Sequence, residues 1–163
     1  MLDEVFASVV GATVDACRSV YGSRLRGMVT FGSVARHRTR PDSDIDLLVV
    51  AAPLPQGRLA RMDEFDAAER LVAAALEGAR RRGVTTRLSP IVRTPEELDQ
   101  SGFLLFDIAC DGEVHVDHDG CVGAHLQRVR DRLVRRGARR YSASGARYWM
   151  LDPGVGPGDV VVL

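Results

Sequence analysis

Two aspartates one residue apart, Asp44 and Asp46, are the side chains best placed by type and spacing to do chemistry. They lead into an apolar run, Leu47-Leu48-Val49-Val50, and residues 44–50 together read as a strand. On a strand, residues i and i+2 point to the same face, so the carboxylates aim together while Ile45 points away. Such a pair of hard oxygen ligands is what Mg²⁺ takes when a substrate's phosphates supply much of the remaining shell. Upstream, Gly32-Ser33 follows a predicted strand over 26–31 and opens a predicted short helix over 33–39. Gly32 lets a ligand approach the backbone because it has no Cβ, and Ser33 can cap the helix. N–H groups at that helix start would face a phosphate along the positive end of the dipole. Ten residues, 34–43, separate Ser33 from Asp44. An ordinary turn and an acidic start to a strand could each supply part of this pattern. Average usage of about 6% per position makes all four fixed residues together a roughly 1 in 500 coincidence in a chain of this size.

The elements that must hold these residues follow from periodicity. Residues 2–22 carry Val5, Phe6, Val9, Val10, Val14 and Cys17 at helical spacing, which predicts a packing helix. Pro41-Asp42-Ser43 reads as a turn and Pro53 with Pro55 as a loop. A long helix is expected over 58–82, with Leu59, Met62, Phe65, Ala68, Leu71, Val72, Ala75 and Leu76 on one face. Arg80-Arg81-Arg82 followed by Gly83 is an ordinary helix stop. Residues 84–92 read as a third strand, which Pro90 pushes to a sheet edge or a bulge. Thr94-Pro95 reads as a helix start, 101–110 as a helix and 114–116 as a short fourth strand. A last helix over 119–137 turns Val122, Leu126, Val129 and Leu133 inward. Arg128, Arg132, Arg135 and Arg139 line its other side, a pattern better read as a solvated face than as an RNA or partner site. His115, Asp117 and His118 read as a surface strand and turn rather than a metal site. Residues 138–163 form a Gly- and Pro-rich tail that docks on the preceding domain; Val160 to Leu163 could add a strand. Tyr141, Tyr148 and Trp149 could anchor a partner or pack on the domain, and both readings stand. The sum is one α/β (α+β) domain over 1–137, a mixed sheet of about four strands flanked by helices, plus the tail.

Composition narrows the partners. A chain of 163 residues holds one core rather than two. With 22 basic against 22 acidic residues, no global field draws it to nucleic acid or membrane. Cys17, Cys110 and Cys121 are an odd count without metal spacing, which suits a reducing cytoplasm. Neither a leader at Met1-Leu2-Asp3-Glu4-Val5 nor an apolar stretch approaching the ~20 residues of a membrane span is read.

Gly32-Ser33, ten residues, then Asp44-Ile45-Asp46 resembles the signature of the nucleotidyltransferase superfamily typified by DNA polymerase beta, most closely its minimal stand-alone branch. The likeness covers residues 1 to about 120, and Tyr148-Trp149-Met150-Leu151 with Pro157-Gly158-Asp159-Val160 adds a softer match. The resemblance implies that Asp44 and Asp46 are catalytic and hold one or two Mg²⁺ ions. It also implies that Gly32, Ser33, Arg36 and Ser43 bind ATP or another nucleoside triphosphate. A nucleoside monophosphate, AMP for choice, would pass to a hydroxyl of a protein or nucleic-acid acceptor. Minimal members are often antitoxins paired with a small helical HEPN-family ribonuclease, which makes such a protein an expected partner. Two positions depart from the pattern. His37 stands where relatives often carry Gly. The strand after the long helix offers Arg87, Ser89 and Ile91 where the family places a third carboxylate; Glu96, Glu97 and Asp107 are substitutes more readily explained as helix-start or surface acids. Two alternatives therefore stay open: a fold of this kind that binds nucleotide or partner without chemistry, and, last, an aminoglycoside-modifying transferase.

Overall fold

The computed structural model describes residues 2–100, 102–143 and 146–151. Four strands, β1 (Leu25–Phe31), β2 (Ile45–Ala51), β3 (Leu88–Arg93) and β4 (Glu113–Asp117), form one sheet in the order β3-β2-β1-β4. β2 runs antiparallel to β1 and parallel to β3, and β4 runs antiparallel to β1, so the sheet is mixed. Pro90 lies on β3, an edge strand, where a missing N–H costs no ladder bond on the open side.

The apolar run of β2 is buried on both faces because a helical layer covers each. On one face, Met28, Leu47 and Val49 meet α1 (Leu2–Tyr21) and α3 (Arg58–Arg81). All six α1 residues expected inward, Val5, Phe6, Val9, Val10, Val14 and Cys17, are buried there. On the other face, Val29, Phe31, Leu48 and Val50 meet α4 (Gly102–Asp111) and α5 (Cys121–Arg135). Val122, Leu126, Val129 and Leu133 of α5 are buried as their spacing requires.

Four details differ from the periodic reading. Leu59 and Leu71 of α3 are 81% and 60% exposed. The expected stripe was wider than the face one neighbouring layer can cover, and only Phe65, Ala68, Val72 and Ala79 are fully buried. Arg139 belongs to a strand rather than the last helix, which ends at Arg135, so the arginine stripe breaks there. β2 begins at Ile45, with Asp44 one residue before it. The helix after β1, α2 (Gly32–Ala35), is four residues long and ends well short of residue 39.

Past α5, β5 (Arg139–Ala143) and β6 (Ala146–Met150) pair as an antiparallel hairpin. Trp149 packs edge-on against Phe106 of α4, and Tyr141 stacks on Tyr148. The expected strand at Val160 to Leu163 lies outside the described residues.

Candidate active site

Gly32 is where the site begins, because two independent constraints meet on it. Its φ of +73° is left-handed backbone that strains any side chain. A Cβ there would also stand 2.1 Å from Asp46 Oδ2. Asp46 pairs with Phe31 across β1 and β2, so the carboxylate reaches over the end of β1 and rests against the turn. Only a glycine lets backbone and carboxylate approach this closely. The glycine-serine turn and Asp46, read in the sequence as parts of one signature, are in contact.

Around them lies a cavity of about 350 Å³ lined by Phe31, Gly32, Ser33, Arg36, Asp46, Leu104 and Asp107. Leu104 and Asp107 come from α4, which forms the wall opposite the turn. Burial pushes the Asp46 carboxyl above its ordinary pKa; a hydrogen bond from Ser89 opposes this, the charge of Asp44 adds to it and Arg36 opposes it. Ser89 is the register neighbour of Asp46 on β3, the strand where a third acid was sought. A hydroxyl stands there instead.

Asp44 does not line this cavity; it stands just before β2 with its side chain 34% exposed. Arg87 grips it with two hydrogen bonds, Nε to Oδ1 and Nη2 to Oδ2, each 3.0 Å. The arginine side chain is 78% exposed, so this is a surface pair in water, worth little to stability and open to displacement by a stronger cation. Asp44 and Asp46 suit a divalent ion by donor type, hard oxygens close enough for one charge to act on the other. Among the described residues no set of three or more His, Cys, Asp or Glu side chains converges on a metal position. Glu97 is committed elsewhere. Arg61 holds both its oxygens at 2.6 and 2.8 Å, the Thr94 amide adds a third bond, and the carboxyl is pushed down to about 2. Glu96 is exposed. Of the three substitute acids only Asp107 faces the cavity. Sequence pattern undervalued it because nothing local announces a helical acid folded over a distant strand.

Two expected roles change. Ser33 does not cap α2: Phe31 is the capping residue, no side-chain cap bond forms, and the Ser33 carbonyl accepts from the Arg38 amide. The turn tightens one residue earlier than expected because Gly32 itself enters the helix. Ser43 does not line the cavity; its buried hydroxyl accepts from the Arg40 amide and closes the turn before β2. Arg36 is at the cavity as expected, its Nη1 3.7 Å from Asp111 Oδ2. Arg38, Arg40 and His37 are outside this cavity, and His37 adopts a φ of +51°, the conformation that makes Gly common there.

The remaining metal-like residues have structural work. Asp117 caps α5 through the Val122 and Gly123 amides, both at 2.9 Å. His115 hydrogen-bonds Thr30 at 2.8 Å, and burial holds its pKa below the ordinary value. Cys17, Cys110 and Cys121 are free thiols. No helix among the described residues is long and apolar enough to cross a membrane.

Trp149 and Arg140 of the hairpin were not read as site residues, yet both reach α4 beside the cavity. Trp149 Nε1 donates to Asp107 Oδ1 at 3.1 Å, and Arg140 Nη1 lies 3.7 Å from the same oxygen.

Two solved structures are similar to part of this chain. One is a toxin-antitoxin crystal structure with AMP-PNP, 20% identical, covering 74% of this chain and 83% of its own at a TM-score of 0.49. The other is a mutant of the toxin-antitoxin MntA-HpeT, 15% identical, covering 72% and 80% at a TM-score of 0.48. A curated Methanocaldococcus jannaschii protein named "Putative protein adenylyltransferase MJ1305" is 27% identical over 137 residues, 83% of this chain and 88% of that protein. Residues 13–74 match the family model described as a nucleotidyltransferase domain. That segment holds Gly32, Ser33, Asp44 and Asp46 together, so the family match falls on the candidate site itself, and with the adenylyltransferase relative it supports a transferase.

Proposed function

We propose that the protein transfers AMP from ATP to a hydroxyl of a protein acceptor, with Asp44 and Asp46 as its metal-holding acids. The observation that carries this reading is the contact between Gly32 and Asp46, which sets a phosphate seat against a half-buried carboxylate inside one cavity. The adenylyltransferase relative, matched along most of both chains, supports adenylyl transfer and a protein acceptor.

In this reading the backbone of Gly32 and Ser33 receives the triphosphate and Arg36 neutralises part of its charge. Mg²⁺ bound by Asp44 and Asp46 would supply charge neutralisation at the phosphate oxygens. The acceptor oxygen bonds to the α-phosphorus as the bond from that phosphorus to its bridging oxygen breaks, and pyrophosphate leaves with the electron pair. Asp107, on the opposite wall, accepts the hydrogen bond of the attacking hydroxyl and takes its proton. Trp149 and Arg140 keep that carboxylate in place. By its resemblance to minimal nucleotidyltransferases, the acceptor is a small helical HEPN-family ribonuclease that this protein neutralises in the cytoplasm as its antitoxin.

A second reading, partner binding without chemistry, draws on the Arg87 grip on Asp44 and on Ser89 in place of a third acid. One experiment separates the two. The protein is incubated with labelled ATP, Mg²⁺ and the partner, beside Asp44→Asn and Asp46→Asn. Label on the partner that both substitutions abolish supports transfer; neutralisation that survives both, with no label, supports binding alone.

A further inference from the structure

A second depression, about 580 Å³, opens on the other side of Arg36. Its walls come from three parts of the chain: the loop after α2, the end of α4 and strand β5. Arg36, Arg38 and Arg140 line it against a single carboxylate, Asp111. Asp111 is only 12% exposed and stands between two of the guanidinium groups, its Oδ2 3.7 Å from Arg36 Nη1 and 2.6 Å from Arg140 Nη1. One acid thus fixes two arginines from opposite ends of the chain, while Arg38 contributes a third, exposed positive charge. The hydroxyl-bearing side chains Tyr141 and Ser142, with Ala35, His37 and Cys110, complete the lining.

Arg36 and Arg140 already pair with Asp111, and Arg140 is shared with Asp107 outside the pocket, so the exposed Arg38 is the cation that faces an incoming anion. A planar guanidinium matches a carboxylate in paired hydrogen bonds. Gly32, Ser33 and Asp46 do not line this space, so it is separate from the phosphate seat, yet Arg36 borders both. An anion held here would lie across Arg36 from the proposed phosphate seat. The chain's formal charge of zero and the acid within the pocket suit a single carboxylate better than a polyanion.

We propose that this pocket binds the side-chain carboxylate of an acidic residue beside the acceptor hydroxyl in a protein substrate. The assignment rests on the transferase reading above and adds to it a rule for choosing the acceptor.

The test is fluorescence anisotropy on the full chain with three probes: a labelled tyrosine peptide flanked by glutamates, its glutamine counterpart, and a single-stranded oligonucleotide of equal charge. Each is titrated with and without saturating ATP and Mg²⁺, on the native protein, Arg38→Gln and Arg140→Gln. The glutamate peptide is expected to bind about tenfold more tightly than the glutamine one. That preference persists with ATP and disappears in both variants. Arg140 also contacts α4, so if Arg140→Gln fails to fold, the exposed Arg38→Gln carries the test alone. Equal binding of the two peptides, or a preference untouched by Arg38→Gln, overturns the proposal. Displacement by ATP would give the pocket to the triphosphate, and tighter oligonucleotide binding would give it to nucleic acid; either also overturns it. Labelled-ATP transfer run in parallel distinguishes the two failures. Transfer to a protein without any acidic preference sinks only the pocket, whereas an acidic preference with no transfer at all sinks the transferase reading and the acceptor role with it.

Discussion

At the scale of single residues, the site depends on one glycine having no side chain. Gly32→Ala would place a methyl group 2.1 Å from Asp46 Oδ2 while holding a φ of +73°. The carboxylate must move and the backbone must strain, a cost of about 1–3 kcal/mol. Thermal unfolding should show that loss, and nucleotide transfer should fall to background; a variant with native stability and rate would contradict the contact as described. Asp44 lies outside the cavity, but the meeting there of Gly32, Ser33 and Asp46 was legible in the sequence because their spacing is fixed by one short strand-turn-strand unit. Asp107 and the Arg87 grip on Asp44 were not, since both depend on how distant elements settle against that unit. The Ser33 cap was misread for a more local reason: Gly32 can itself enter the helix, so the turn closes one residue early.

At the scale of elements, the α5 stripe was read correctly because one partner surface, the sheet, decides all four inward positions. The α3 stripe was read too broadly, since eight apolar residues were assigned to a face that fully buries three of them, Phe65, Ala68 and Val72. The turn leading into α4 supplies a separate prediction. Arg61 of α3 clasps Glu97 through two hydrogen bonds, and the arginine holds the carboxyl near 2, well below its ordinary 4.5. A carboxyl whose pKa is depressed on folding contributes stability above its unfolded value and loses it as pH falls through the folded one. The clasp should therefore stabilise fully above about pH 4.5 and weaken progressively toward pH 2. Glu97→Gln should cost about 2 kcal/mol at neutral pH and flatten the stability profile across that window. Chemical denaturation at a series of pH values checks this, and an unchanged acid slope would count against it.

At the scale of the whole molecule, the hairpin that follows the last helix braces α4, the helix that forms the site's wall. Trp149 packs on Phe106 and holds Asp107, so Trp149→Ala should loosen β5 and β6 from α4 and cost about 2 kcal/mol. Limited proteolysis should cut the hairpin sooner, and transfer should slow even though nucleotide still binds. A protease-resistant variant with the native rate would remove the hairpin from the account. About four strands flanked by helices could be expected from the sequence, and so could a docked tail. The strand order and the pairing of that tail into a hairpin on α4 could not, because Tyr141, Tyr148 and Trp149 suit a partner surface as well as an internal one. The most direct test of the central assignment is the intact mass of a protein acceptor after incubation with ATP and Mg²⁺, using native protein and Asp46→Asn. The account predicts the gain of one or more AMP groups with the native protein and none with Asp46→Asn, which still folds. Equal modification by both proteins would contradict it.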